Sequence, residues 1–235
     1  MSLILRVDVD KPYGRHNIIR KIASKLKEDF LTKLTIKWGY LSHLNQFLRF
    51  CNQKNVSGHF YFRLCTAPDR KILSLMKQGN HVIGLHLENS RNIGTMKQEL
   101  EEFQKFFNEY SVNTFSKHGS GTYKLGKNHY PPYEPWKYKK WAEELGIRFH
   151  SGNGIAEKEE DLHSVDGYFE NLFWLEPDYR NPNFCRIDDL IEVAKNHDVV
   201  ILIHPSNFVA DQNTRTDFEK LVQSSKNRGV EWKLF

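Results

Sequence analysis

The chain has 235 residues, 39% of them hydrophobic with 16 Phe, 10 Tyr and 5 Trp, enough for a substantial core, and its 27% of charged residues form no long blocks of like sign that would signal disorder. A net charge of +5 is mild, and no Lys/Arg stripe interleaves with aromatics, so the composition argues against a nucleic-acid partner. No run approaches the roughly 18 apolar residues of a membrane span, and "MSLILRVDVD" lacks the regions of a secretory leader. Cys51, Cys65 and Cys185 fit neither a zinc ribbon nor a disulfide framework, so the expectation is a soluble, cytoplasmic protein with reduced thiols.

In chain order, "LILRVDVD" reads as a strand. Residues i and i+2 of a strand share a face, so Arg6, Asp8 and Asp10 line one side and Leu5, Val7 and Val9 the other. Two carboxylates forced together call for a cation, a shared proton or water. Residues 15–53 read as helical, with Ile18, Ile19, Ile22 and Leu26, then Leu41, Leu44, Phe47, Leu48 and Cys51, at helical spacing. "GHFYFRL" (58–64) is a second strand. "DRKILSLMKQG" begins on an N-capping Asp69 and ends on Gly79, which predicts a helix.

"HVIGLHLE" (81–88) is a third strand, and Met96, Leu100, Phe103, Phe107 and Tyr110 mark a helix over 95–110. A short strand, "NTFSKHG" (113–119), precedes a helix in "EPWKYKKWAEELG", punctuated by Pro135 and Gly146. "IRFHSG" (147–152) and "YFENLFWLEP" (168–177) predict strands, "RIDDLIEVAKNH" a helix, "VVILIHP" an apolar strand and "TRTDFEKLVQSSKNRG" a last helix. Strand–helix units with continuous apolar strands predict a parallel sheet buried on both faces, either a barrel or an open doubly wound sheet, in one domain.

In such folds the chemistry gathers at the C-terminal ends of the strands. Asp8 and Asp10 end the first strand, Gly84, His86 and Glu88 share a face of the third, His118 ends "NTFSKHG" and His204 ends "VVILIHP". Imidazoles and carboxylates at equivalent strand ends suit a divalent ion of the zinc type and point to a metal hydrolase.

In this order the motifs resemble the polysaccharide deacetylases of the NodB-homology class. "VDVD" resembles a variant of that family's first-strand carboxylate pair, "GHFYFRL" its second strand, "LMKQGNHVIGLH" its helix–Gly–His–Ile–Gly–x–His passage and "VVILIHP" its late hydrophobic–x–His motif. The resemblance implies an α/β fold, a distorted (β/α) barrel of parallel strands spanning residues 1–235 with a helical insertion at about 15–53. It also implies a metal-dependent removal of an acetyl group from an N-acetylated sugar, in a subgroup associated with surface-polysaccharide biosynthesis. Asp8 is then the general base, Asp10 and His86 ligands of a divalent metal (Zn²⁺) and His204 the general acid.

The family's second ligand His falls on Ser90, its Arg-Pro motif is replaced by "FSKHGSG", and its Asp-x-x-Trp motif is not recognisable, although Asp166 and Trp174 lie in that region. His118 is the candidate for the missing ligand, with His129 the alternative. Arg6 is expected to keep Asp8 ionised and oriented, and Glu88, Tyr123 and Trp174 to contact substrate. The expected partner is an N-acetylated sugar or glycan precursor, with phosphate groups met by Arg70, Lys71 and the "KHGSGTYK" stretch. Two other readings are a glycan-binding pseudoenzyme, with Tyr123, Tyr130, Tyr133, Trp136 and Trp174 as a stacking platform, and a hydrolase of a non-sugar amide.

Overall fold

The computed structural model describes residues 1–10, 39–107, 110–119, 129–181, 184 and 186–235. Residues 15–38 of the expected helical insertion, together with Tyr123 and Cys185, lie outside the described residues.

Eight strands form one parallel sheet. β1 (Ser2–Val9) is central, flanked by β2 (Gly58–Phe62), β3 (Val82–Leu87) and β4 (Phe115–Lys117) on one side. On the other lie β7 (Val199–Ile203), β6 (Phe169–Trp174) and β5 (Ser151–Ile155), giving the order β4-β3-β2-β1-β7-β6-β5. β8 (Glu231–Trp232) pairs with the start of β1. The two edges approach each other at a bridge between Thr114 and Arg148, where Phe115 N donates to Arg148 O (3.0 Å) and Arg148 N to Asn113 O (2.8 Å). The sheet is thereby nearly closed into a barrel.

Period-two alternation sets what each strand offers to either side. Leu3, Leu5, Val7 and Val9 join the main core under the helices, whereas Ile4 belongs to a small apolar cluster with Phe169, Leu172, Val200 and Leu202. Arg6 and Asp8 share the face of Ile4 and so point into the lumen above that floor. The register Asp8↔Tyr61↔Gly84 brings a phenol beside a glycine. A Cβ at Gly84 would lie 2.6 Å from the Tyr61 ring, so the lumen has room for that ring because position 84 has no side chain.

The helices follow the expected patterns closely. α1 (Tyr40–Lys54) buries Leu41, Leu44, Phe47, Leu48 and Cys51, the stripe its spacing predicts. Asp69 caps α2 (Arg70–Gln78), its side chain accepting from Ile72 N at 3.0 Å. α4 (Pro135–Leu145) ends on Gly146 with φ +62°, a left-handed residue that favours glycine. α3 runs Ile93–Gln104 rather than 95–110, because Asn92 accepts from Thr95 N and fixes an earlier start. α5 (Ile187–Asn196) and α7 (Gln212–Asn227) complete the long helices. No described helix is long and apolar enough to cross a membrane.

Two local expectations are corrected. The strand expected at 147–152 is β5, Ser151–Ile155, with Ile147–Phe149 contributing only the bridge at Arg148. "SGNGI" has poor strand propensity, and tertiary contacts specify it: the Arg6 guanidinium bonds Ser151, Gly152 and Asn153, and a Cβ at Gly152 would lie 2.4 Å from Glu170 O. Pro205, expected to close a strand, instead opens a short helix, α6 (Pro205–Ala210), with Pro in the first turn where its missing N–H costs nothing.

Candidate active site

The C-terminal ends of β1, β2, β3, β4 and β7 converge on one buried polar cluster. Its base is Arg6, which is 2% exposed. Its Nε and Nη2 donate to Asp8 Oδ1 and Oδ2 (2.9 and 2.8 Å), Nη1 to Ser151 Oγ and Gly152 O (3.1 and 2.6 Å), and Nη2 also to Asn153 Oδ1 (2.9 Å). All five guanidinium N–H groups therefore have an acceptor, and the residue ties β1 to β5 across the lumen. Burial pushes the Asp8 carboxyl up, but the Arg6 guanidinium, helped by His86 and His204, overrides it and holds Asp8 below its ordinary range.

Just past the end of β1, Asp10 faces three imidazoles. Its Oδ2 lies 3.7 Å from His86 Nε2 and 3.4 Å from His118 Nε2, and its Oδ1 lies 3.4 Å from His204 Nε2. Burial raises the Asp10 carboxyl while His204, His118 and His86 lower it, and the net result is well below the usual value. His86 is oriented from behind, its Nδ1 2.7 Å from Ser116 Oγ.

His118 stands at the end of β4, its backbone N–H donating to Leu87 O (2.9 Å). The buried Lys117 ammonium clamps the following turn by donating to the carbonyls of His118 and Gly119 (2.6 and 3.2 Å). Burial first, then the Arg63 charge, pushes His118 down to about 4, so its imidazole is neutral with a lone pair available. His204 is held by Glu176: Oε1 lies 2.6 Å from Nδ1 and also accepts from the backbone N–H of His204 (2.8 Å) and from Asn207 Nδ2 (3.1 Å). That leaves Nε2 toward Asp10.

The donor set fits a divalent ion. Asp10 Oδ2, His86 Nε2 and His118 Nε2 come together as a possible three-ligand set. Ligand atoms of a tetrahedral zinc with bonds of ~2.0–2.1 Å stand about 3.3 Å apart, close to the 3.4 and 3.7 Å from Asp10 Oδ2 to the two imidazoles. His86 Nε2 and Asp10 Oδ1 are buried without a hydrogen-bond partner among the described residues, a costly state for polar atoms that a cation relieves. The cluster also joins four carboxylates (Asp8, Asp10, Glu88, Glu176) to two guanidiniums (Arg6, Arg63) and the Lys117 ammonium, a small excess of negative charge that a divalent ion offsets.

The residues expected from the sequence fall as follows. Arg6, Asp8, Asp10, His86, His118 and His204 are together. Glu88 is adjacent, its Oε1 accepting from Arg63 Nη2 at 2.7 Å and lying 3.6 Å from His118 Nδ1. Trp174 places its ring 6.0 Å from that of His204, with its indole N–H donating to Gly154 O (3.0 Å). Tyr123 is outside the described residues. Ser90 is fully buried, its hydroxyl 3.1 Å from the Tyr138 hydroxyl, so that position belongs to the packing of α4.

Glu176 was not legible as a partner of His204, although the alternation that places Trp174 inward, carried two residues on, points to it. Glu99 was also missed. It reaches from α3 to accept from the backbone N–H groups of Glu88 and Asn89 (2.9 and 2.8 Å), and burial pushes it up to about 7.

The nearly closed parallel barrel is a fold shared with solved carbohydrate esterases and polysaccharide deacetylases. The chain is similar to a CE4 esterase of Streptococcus mutans at 14% identity and a TM-score of 0.52, covering 99% of this chain and 86% of the other. It is similar to a probable polysaccharide deacetylase of Pseudomonas aeruginosa at 10% identity and a TM-score of 0.52, covering 98% and 86%. No family model matches the sequence, and no curated protein does.

Proposed function

We propose that the protein is a metal-dependent hydrolase that removes the acetyl group from an N-acetylated sugar in surface-polysaccharide biosynthesis. The observation that carries this reading is the convergence of Asp10 Oδ2, His86 Nε2 and His118 Nε2, flanked by Asp8 and His204. Those three atoms would hold the ion, and two imidazoles with one carboxylate suit Zn²⁺. When bound, such an ion supplies Lewis acidity toward the acetyl carbonyl and acidifies water.

Asp8, ionised beside Arg6, accepts the proton of the attacking water. His204 donates from Nε2 to the departing nitrogen as the C–N bond breaks, so acetate and a free amine leave. Glu176 on Nδ1 holds the His204 ring in register, with Nε2 toward Asp10. A glycan-binding pseudoenzyme is the weaker reading, because the imidazole missing at Ser90 is matched by His118 from another strand. The site draws on strands from β1 to β7, which supports one catalytic domain over residues 1–235.

We assign the substrate to phosphate-bearing precursors in the cytoplasm. The net charge of +5 and the exposed Arg70 and Lys71 just beyond β2 support that assignment. Acetate release from N-acetylated nucleotide sugars, lipid-linked intermediates and chitin-type oligomers tests it, with the protein first stripped by chelator and then reloaded with Zn²⁺. Release is expected from the phosphate-bearing compounds and only after reloading. Preference for the uncharged oligomers would overturn the precursor assignment; release from none of the three classes would overturn the deacetylase reading.

A further inference from the structure

Building on the proposed metal centre, we infer that His129 is a positioning residue for His118: its Nδ1 accepts the Nδ1–H of His118 and fixes the tautomer whose Nε2 lone pair faces Asp10 and His86. The two Nδ1 atoms lie 3.2 Å apart, with the rings edge to face at 83°. Both residues are buried. The segment carrying His129 is held in place by the next residue, Tyr130 N donating to Glu88 O at 2.9 Å.

A neutral imidazole has one N–H and one lone pair. His118 can therefore spend its proton on Asp10, 3.4 Å from Nε2, or on the groups at Nδ1. Only the second choice frees Nε2 for a cation. Two acceptors stand at Nδ1. Glu88 Oε1 is 3.6 Å away, beyond hydrogen-bond range, and already accepts from Arg63. His129 Nδ1 is at hydrogen-bond distance, and it selects the ligating tautomer.

Glu88, His118 and His129 also come close enough to suggest a cation site of their own. Filled together with the first site, that arrangement would need a second lone pair on His118, which a neutral imidazole lacks, and it would set the ion beside the Arg63 guanidinium. The same atoms are better matched to a hydrogen bond behind a ligand, where loss of the partner typically costs 10–100-fold in metal affinity.

The test is the Zn²⁺ dissociation constant of chelator-stripped protein, measured by competition with a chromophoric chelator, together with the Co²⁺ absorption spectrum. His129→Asn keeps an acceptor near the Nδ1 position and should retain wild-type affinity and spectrum. His129→Leu removes it and should bind about 10–100-fold more weakly, with shifted Co²⁺ bands. Gln and Met at position 129 repeat the comparison should the Leu variant fail to fold. Wild-type affinity in His129→Leu, with binding lost in Asp10→Ala and His86→Ala, would overturn the role of His129 and leave the metal centre standing. A second ion per chain that disappears in His129→Leu would overturn it too, by making His129 a ligand. Absence of Zn²⁺ binding by the wild-type chain would remove the centre and the inference together.

Discussion

Asp8→Asn and His204→Gln should each lower kcat by about 10²-fold or more while leaving metal content at the wild-type level. The two side chains flank Asp10 and His86, and neither belongs to the proposed set of ligands. Asn at position 8 keeps the shape but cannot take a proton from water. Gln at position 204 can still reach Glu176 but has no acidic N–H to give the leaving amine. The pH–rate profile separates them: the acid limb should vanish in Asp8→Asn and persist in His204→Gln. The acid limb belongs to Asp8, and its lowered value places that limb below the ordinary carboxylate range. Undiminished kcat in either variant, with metal content intact, would reject that residue's role.

Arg6→Met should cost about 3–5 kcal/mol of stability at neutral pH, because it leaves the buried Asp8 carboxylate without its charge partner. The loss should shrink on acidification. In the wild type the Asp8 carboxyl is held below its unfolded value, so its stabilising contribution is full above an unfolded pKa of about 3.9 and fades as pH falls through the folded value. Without Arg6, burial pushes Asp8 up, the folded state takes the proton more readily, and acid relieves the penalty. A double variant with Asp8→Leu should recover only part of the loss, since Gly152 O and Asn153 Oδ1 also lose a donor. Denaturant titrations at pH 7 and pH 4 read all three effects. An Arg6→Met variant within about 1 kcal/mol of the wild type at pH 7 would reject the account of this pair.

Much of this was legible because strands alternate. Once "LRVDVD" is a strand, Arg6, Asp8 and Asp10 must share a side, and the apolar Leu5, Val7 and Val9 decide that this side is the lumen. The same logic brought out His86 and His204. What was not legible came from chain segments that only tertiary contact specifies. The strand expected over 147–152 lies later, at β5, because "SGNG" carries no strand signal of its own and Arg6 uses it as an acceptor surface. His118 is favoured over His129 by its place at a strand end, but that strand is three residues long and nothing local says that Leu87 O will receive its N–H. Glu176 lies past the end of β6, where alternation is no longer guaranteed, and its tie to His204 spans 28 residues.

Metal analysis of the purified chain after dialysis against Zn²⁺, beside the Asp10→Ala, His86→Ala double variant, tests the central claim most directly. The geometry at Asp10, His86 and His118 predicts about one ion per wild-type chain and its loss in the double variant. A wild-type chain without bound zinc, or zinc retained undiminished in the double variant, would contradict it.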